Sequence, residues 1–301
     1  MTDNELGIHA GVWVGDWTDG SARYAIESSA SVGYDFIEIP AADPLTTDTS
    51  LTVRLLQQAG IAAVVSLALD DDSDINTDDP ERSARGEARL TSAVDFASAI
   101  GADYVGGVTY SAMKKYDRAA TTESRANSLA VLGRVAARAK ASGIRLGIEY
   151  VNRYESNLLN TAAQTVVFID ELAADNVILH LDTFHANSEE LSLPAAVHDA
   201  GSLLGYIHAS ESHRGLLGTG ILDFDGFFAA LGDAGYRGPV TFESFSSSVL
   251  PRSTSDTIGL WREGWSDPLV AATGAYEFLR SRVAALTALD PTPITATEGT
   301  P

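Results

Sequence analysis

Four short apolar runs in the second half of the chain each end in a side chain that can bind a metal or move a proton. Leu146-Gly147-Ile148 runs into Glu149, Val177 to Leu181 into Asp182, Leu204 to Ile207 into His208, and Val240-Thr241-Phe242 into Glu243. For any one of these alone, a salt bridge or a helix cap is the ordinary explanation. Four in succession ask for another, because carboxylates buried together are costly unless a cation neutralises them. Three oxygen ligands and one nitrogen suit one borderline or hard divalent ion, with Mn²⁺, Mg²⁺ and Co²⁺ as candidates. A structural zinc site more often uses sulfur or several His, and the chain has no Cys.

Further polar residues follow these positions closely. Glu155 lies six residues after Glu149, and reaches the same place only if the intervening loop curls back, since an extended segment spans about 20 Å. His185 follows Asp182 by three residues, and Arg214 follows His208 by six. All three are candidates to grip a substrate. Glu38 ends an earlier apolar run and is a candidate to support the ligands from behind. His9 is a candidate lining residue, and Trp13, Trp17, Tyr110 and Phe245 are candidate apolar walls.

Eight apolar runs of strand length must position these groups. They are Gly7 to Val14, Phe36 to Pro40, Ala62 to Leu69, Tyr104 to Thr109, Leu146 to Val151, Val177 to Leu181, Leu204 to Ala209 and Val240 to Ser244. Stretches of helical pattern separate them, such as Ala88 to Ile100 and Ser124 to Ser142. Gly60, Gly101, Gly143 and Gly235 mark helix ends. Eight βα units in sequence predict an α/β fold, a (β/α)₈ TIM barrel, whose strand ends meet at one catalytic rim. An open doubly wound sheet usually carries a Gly-rich phosphate turn after its first strand; here that strand runs into Val14-Gly15-Asp16-Trp17. One catalytic domain over residues 1–290 is expected, with a disordered tail at 291–301. The Asp-rich stretch from Asp70 to Glu81 reads as an exposed, solvated loop.

The 301 residues are 45% hydrophobic, enough for a substantial core. Forty-one acids against 20 Lys and Arg give a formal charge of −21. That field opposes nucleic acid and anionic membranes as partners, and disfavours highly charged phosphates more weakly. No run approaches the roughly 20 apolar residues of a membrane span. The acidic start, Met1 to Glu5, lacks the build of a secretory signal. A cytoplasmic location is expected.

The chain resembles the ketose 3-epimerases, which act on D-tagatose or on D-psicose (allulose), within the sugar isomerase/epimerase barrels. The resemblance rests on Gly147 to Glu155 (GIEYVNRYE), His180 to His185 (HLDTFH), Ile207 to Arg214 (IHASESHR) and Thr241 to Phe245 (TFESF). It covers about residues 7 to 285, with specific motifs in the second half and shared architecture in the first. It implies that Glu149, Asp182, His208 and Glu243 bind Mn²⁺ or a similar ion, and that Glu149 and Glu243 are the acid/base pair. It implies that Glu155, His185 and Arg214 hold the first two oxygens of a free ketose, and that the protein is a homodimer or homotetramer. Ser66 and Met113 stand where such enzymes tune their preference for the far end of the sugar.

Other functions remain open to the sequence. An aldose–ketose isomerase of the hydroxypyruvate isomerase kind shares the enediolate and returns the proton elsewhere. A sugar-phosphate epimerase is disfavoured by the acidic balance, and a barrel endonuclease by the same charge and by only six His. A non-catalytic sugar-binding protein has no need of paired carboxylates on a metal.

Overall fold

The computed structural model describes residues 4–41 and 48–288. The apolar runs are parallel strands: β1 (Leu6–His9), β2 (Phe36–Pro40), β3 (Ala62–Leu69), β4 (Tyr104–Ala112), β5 (Arg145–Glu149), β6 (Val177–Asp182), β7 (Leu204–Ala209) and β8 (Val240–Phe242). They pair in chain order, and β1 pairs with β8 to close the barrel, Gly7 opposite Thr241. The connecting helices are α1 (Asp19–Val32), α2 (Thr49–Ala59), α3 (Pro80–Ile100), α4 (Thr122–Ala141), α5 (Ala162–Leu172), α6 (Thr183–Glu189), α7 (Leu193–Ala200), α8 (Phe224–Asp233), α9 (Arg252–Thr257) and α10 (Pro268–Ala288). This is the expected (β/α)₈ barrel. Among the described residues no helix is long and apolar enough to cross a membrane. The tail expected to be disordered lies outside the described residues.

Side chains of alternate strand residues fill the barrel interior. Phe36, Val64, Tyr104 and Tyr206 pack together below the catalytic rim, with Ile178 against them. Tyr104 and Tyr206 stack with ring centroids 4.3 Å apart. Tyr104 reaches so far across that a Cβ on either Gly106 or Gly147 would overlap it. Glycine in β4 and β5 is therefore what lets this tyrosine lie flat in the floor of the site.

Three of the local differences from the sequence expectation have a clear physical cause. β1 stops at His9, because the His9 side chain caps a turn of 3₁₀ helix at Ala10–Val12. α3 begins eight residues before Ala88, at Pro80, where Asp79 caps its N-terminus and proline occupies the first turn. The stretch from Asp70 is not a uniformly solvated loop. Asp71–Ser73 forms a 3₁₀ turn, and Ser73, Asp74, Ile75 and Asn76 are buried. The Asp74 carboxylate accepts hydrogen bonds from the backbone N–H groups of Asn76 (2.9 Å) and Ala112 (3.0 Å) and from the Tyr116 hydroxyl (2.7 Å). An acid-rich composition says nothing of such tethering.

Candidate metal centre and active site

β5 to β8 deliver Glu149, Asp182, His208 and Glu243 to one rim, and all four side chains are buried. His208 Nδ1 sits in their midst. It lies 3.4 Å from Glu149 Oε1, 3.3 Å from Glu243 Oε1 and 4.0 Å from Asp182 Oδ2. One ligand atom each of Asp182, His208 and Glu243 fall within 4.8 Å of one another. The two carboxyl oxygens of Asp182 divide their duties. Oδ1 caps α6 by accepting from the Phe184 N–H at 2.7 Å, and Oδ2 faces the cluster and accepts from Ser210 Oγ at 3.3 Å.

A divalent cation fits this donor set. His208 Nδ1 is buried without a hydrogen-bond partner, the state of a nitrogen whose lone pair awaits a ligand. His208 Nε2 is committed elsewhere, to Glu38 Oε2 at 2.8 Å. Burial pushes Glu149 and Glu243 above the ordinary carboxylate range against the pull of His208; the charge of Asp182 adds to the push on both, with Glu38 adding to it on Glu149 and Glu149 adding to it on Glu243. Burial also opposes a charge on His208, but Glu38, Glu243 and Glu149 outweigh it and raise its pKa. A cation among these oxygens supplies the positive charge that a proton on His208 otherwise provides.

The loop after β5 does curl back. Glu155 N–H bonds to Asn152 O at 2.9 Å, and Glu155 Oε1 meets Arg214 Nη2 at 3.3 Å. His185 Nδ1 accepts from the Asn152 backbone N–H at 3.2 Å. Asn152 Nδ2 lies 2.9 Å from the same Nδ1, and two donors there favour the neutral ring with its proton on Nε2, although Arg214 Nη2 also stands 3.3 Å from Nε2; burial keeps His185 neutral, its pKa well below the usual value. That Nε2 stands 4.0 Å from Glu155 Oε2, a buried oxygen without a hydrogen-bond partner. Arg214 lies over the Phe184 ring at 4.1 Å and places Nη1 3.7 Å from Glu243 Oε2. Its backbone takes φ 56°, a left-handed conformation uncommon outside glycine. Ser244 Oγ holds the Arg214 carbonyl at 2.6 Å, and the Trp265 indole N–H donates to that Ser244 oxygen at 2.8 Å.

Glu149, His185, His208, Arg214 and Glu243 line a cavity of about 320 Å³, near the lower end for small-molecule sites, which run from about 300 to 1,000 Å³. His9, Glu38, Ser66, Met113 and Phe245 also face it, as do Leu250, Thr254 and Ile258, in and beside α9. Trp13, Trp17 and Tyr110, the other candidate walls, pack in the core instead. His9 Nδ1 accepts from the Gly11 N–H at 3.0 Å, so Nε2 carries the proton, and it faces Glu38 Oε1 across 3.9 Å.

Sequence reasoning passed over His180, Asn152, Tyr206 and Ser244. His180 and Tyr206 each precede a rim residue by two positions on the same strand, and so share its face; that period was the available signal. His180 Nδ1 lies 3.1 Å from the Tyr104 hydroxyl and 3.9 Å from Glu149 Oε2. Nothing in the sequence marks Asn152 or Ser244 as anchors, because their partners, His185 for the first and Arg214 and Trp265 for the second, are distant in the chain.

A closed parallel barrel with buried carboxylates and an imidazole at its C-terminal rim, close enough together that they could hold a metal ion, has the architecture of a (β/α)₈ enzyme. Residues 26–266 match the xylose isomerase-like TIM barrel family. The chain is 46% identical over 278 residues to the L-ribulose 3-epimerase of Methylomonas sp. (strain DH-1), covering 92% of this chain and 97% of that one. It is 43% identical over 286 residues to the ketose 3-epimerase of Arthrobacter globiformis, covering 95% and 99%. The crystal structure of D-allulose 3-epimerase from Methylomonas sp. in complex with D-allulose superposes with a TM-score of 0.91 at 45% identity, over 94% of this chain and 98% of that one. The chain therefore belongs to the xylose isomerase-like TIM barrel family, among its ketose 3-epimerases, which are isomerases.

Proposed function

We propose that this enzyme epimerises free ketoses at C3, with Glu149, Asp182, His208 and Glu243 holding one Mn²⁺ and with Glu149 and Glu243 as the acid/base pair. The observation that carries the reading is the buried, unpartnered His208 Nδ1 between the Oε1 atoms of both glutamates. The ion, when bound, stabilises negative charge developing on the substrate oxygens O2 and O3. One glutamate removes the C3 proton, and the C–H electron pair becomes part of the C2–C3 double bond of an enediolate. The other returns a proton to C3 on the opposite face. Their Oε1 atoms lie beside His208 Nδ1 and would hold the ion with it, which would leave each Oε2 for proton transfer. Glu243 Oε2 stands by Arg214 and Glu149 Oε2 by His180, so the two are not equivalent.

The first two oxygens of the sugar belong to Glu155, His185 and Arg214. A hydroxyl seated between His185 Nε2 and Glu155 Oε2 accepts from the first and donates to the second. His9 offers a donor of the same kind on the β1 side of the cavity, and Ser66 and Met113 stand at its wall. A free sugar is favoured over a phosphorylated one because Arg214 is the one Arg or Lys lining the cavity among the described residues, and it is engaged by Glu155 and near Glu243. The remainder of the proposal is a single catalytic domain over residues 1–290, working in the cytoplasm as a homodimer or homotetramer. Light scattering measures the self-association.

The test is incubation of Mn²⁺-loaded protein with D-fructose, D-tagatose and L-ribulose in D₂O, followed by NMR. Deuterium at C3 together with the C3 epimer is expected. Aldose product labelled at C1 or C2 would replace this reading with an aldose–ketose isomerase. Turnover retained in both Glu149→Gln and Glu243→Gln would overturn the acid/base assignment.

A further inference from the structure

Glu38 sits on β2, across the barrel from His208 on β7, and is fully buried. Its Oε2 receives two hydrogen bonds, from His208 Nε2 at 2.8 Å and from the Tyr206 hydroxyl at 2.6 Å. The Tyr206 oxygen lies in turn 2.6 Å from Thr241 Oγ1 on β8. A chain of short contacts thus runs Thr241–Tyr206–Glu38–His208 through the floor of the barrel, joining β8, β7 and β2. A buried carboxylate is costly, and its charge is normally matched by a partner within the site. Here the partner is an imidazole rather than Arg or Lys. Burial works against the Glu38 charge, yet the His208 contact holds its pKa below the ordinary carboxylate range.

An imidazole can place only one of its nitrogens toward a cation, and the hydrogen bond at the other nitrogen decides which. Without an acceptor at Nε2, the His208 ring is free to flip or to carry its proton on Nδ1. The flip turns a ring C–H toward the carboxylates and the other change an N–H, and both remove the nitrogen ligand. We propose that Glu38 is the positioning residue of the metal centre: it fixes the proton of His208 on Nε2 and so aims the Nδ1 lone pair between Glu149, Asp182 and Glu243. Tyr206 holds the Glu38 carboxylate in the orientation that does this. The inference rests on the metal reading of the rim given above. Glu38 acts through His208 rather than on the sugar.

Titration of metal-free protein with Mn²⁺ by calorimetry, with ¹⁴N modulation in pulsed EPR of the bound ion, separates the two layers. Wild type is expected to bind one ion per chain with a histidine nitrogen signal. Failure at that step overturns the metal reading itself and this proposal with it. Glu38→Gln keeps the shape and loses the charge. It is expected to bind Mn²⁺ about 10- to 100-fold more weakly with a diminished nitrogen signal. Its KM for ketose at saturating metal should stay close to that of wild type, since Glu38 does not hold the carbonyl end. A purely structural role would instead lower the melting point of metal-free protein and leave the nitrogen coupling intact. If Glu38→Gln does not fold, Glu38→Asp withdraws the carboxylate by one methylene and is read in its place. Wild-type affinity and an unchanged nitrogen signal in the folded variant would overturn the proposal.

Discussion

Replacing Gly147 with alanine adds one methyl group where the barrel floor has no room for it. The new Cβ would sit 2.6 Å from Tyr104 Cζ and closer still to the hydroxyl, far inside van der Waals contact. Tyr104 has nowhere to go. It is 1% exposed, stacks on Tyr206 at 4.3 Å, and passes the equally close Gly106. Overpacking of a core costs typically about 1–3 kcal/mol, and the higher end applies because both the ring and β5 are fixed on all sides. For a domain of this size about 1 kcal/mol moves the melting point by about 2–4 °C, so a fall of several degrees is expected. Tyr104→Phe removes the atom that overlaps most, but strands His180 Nδ1, at a cost of about 1–3 kcal/mol when made alone. The double variant should therefore be more stable than the sum of the single losses by about 1 kcal/mol or more. Urea unfolding of the four metal-free proteins measures this coupling. Additivity within about 0.5 kcal/mol would refute the claim that Gly147 exists to admit Tyr104.

Arg214→Lys keeps the charge and loses the planar fork that meets Glu155 at 3.3 Å while lying over Phe184. A charge-assisted hydrogen bond is worth about 1.5–3 kcal/mol, so kcat/KM for a ketose should fall about 10- to 150-fold; a change within about twofold would remove Arg214 from the substrate grip. Asp74→Ala releases two backbone N–H groups and the Tyr116 hydroxyl. It should lower stability by about 2 kcal/mol or more and speed protease cleavage within residues 70–79, with Mn²⁺ affinity unchanged; an uncut loop would show that other contacts hold it. Burial holds His9 neutral, its pKa lowered from 6.5 to about 4 despite the nearby Glu38 charge. The unfolded chain therefore binds a proton that the folded one refuses. Stability is full above pH 6.5 and declines as pH falls toward 4, by up to about 3 kcal/mol for this group. Unfolding of chelator-treated protein should depend less steeply on pH in His9→Gln than in wild type across that window, and equal slopes would contradict a neutral His9.

The legible parts of this protein are those encoded by period and by strand ends. Eight apolar runs announced eight strands because buried parallel strands are apolar on both faces, and the closing pair β1–β8 followed from the count. The rim residues were visible for a related reason. A carboxylate or imidazole directly after an apolar run breaks its pattern, and four such breaks on successive strands point to one shared location. Residues that orient the rim carry no such mark. Glu38 was suspected as a support because it too ends a strand, but its bond to His208 joins residues 170 positions apart. Asn152, which sets the tautomer of His185, reads in sequence as one more polar loop residue. Asp74 shows the converse, since its neighbours' acidity suggested solvent while its carboxylate is buried as a tether. The sequence pattern thus reports which side chains reach the rim. Which nitrogen of each histidine bears the proton is decided by partners that only the closed barrel brings near. For His208, His185 and His9 that decision settles whether the ring offers a lone pair or a proton to the cavity, and with it what each can do in the reaction.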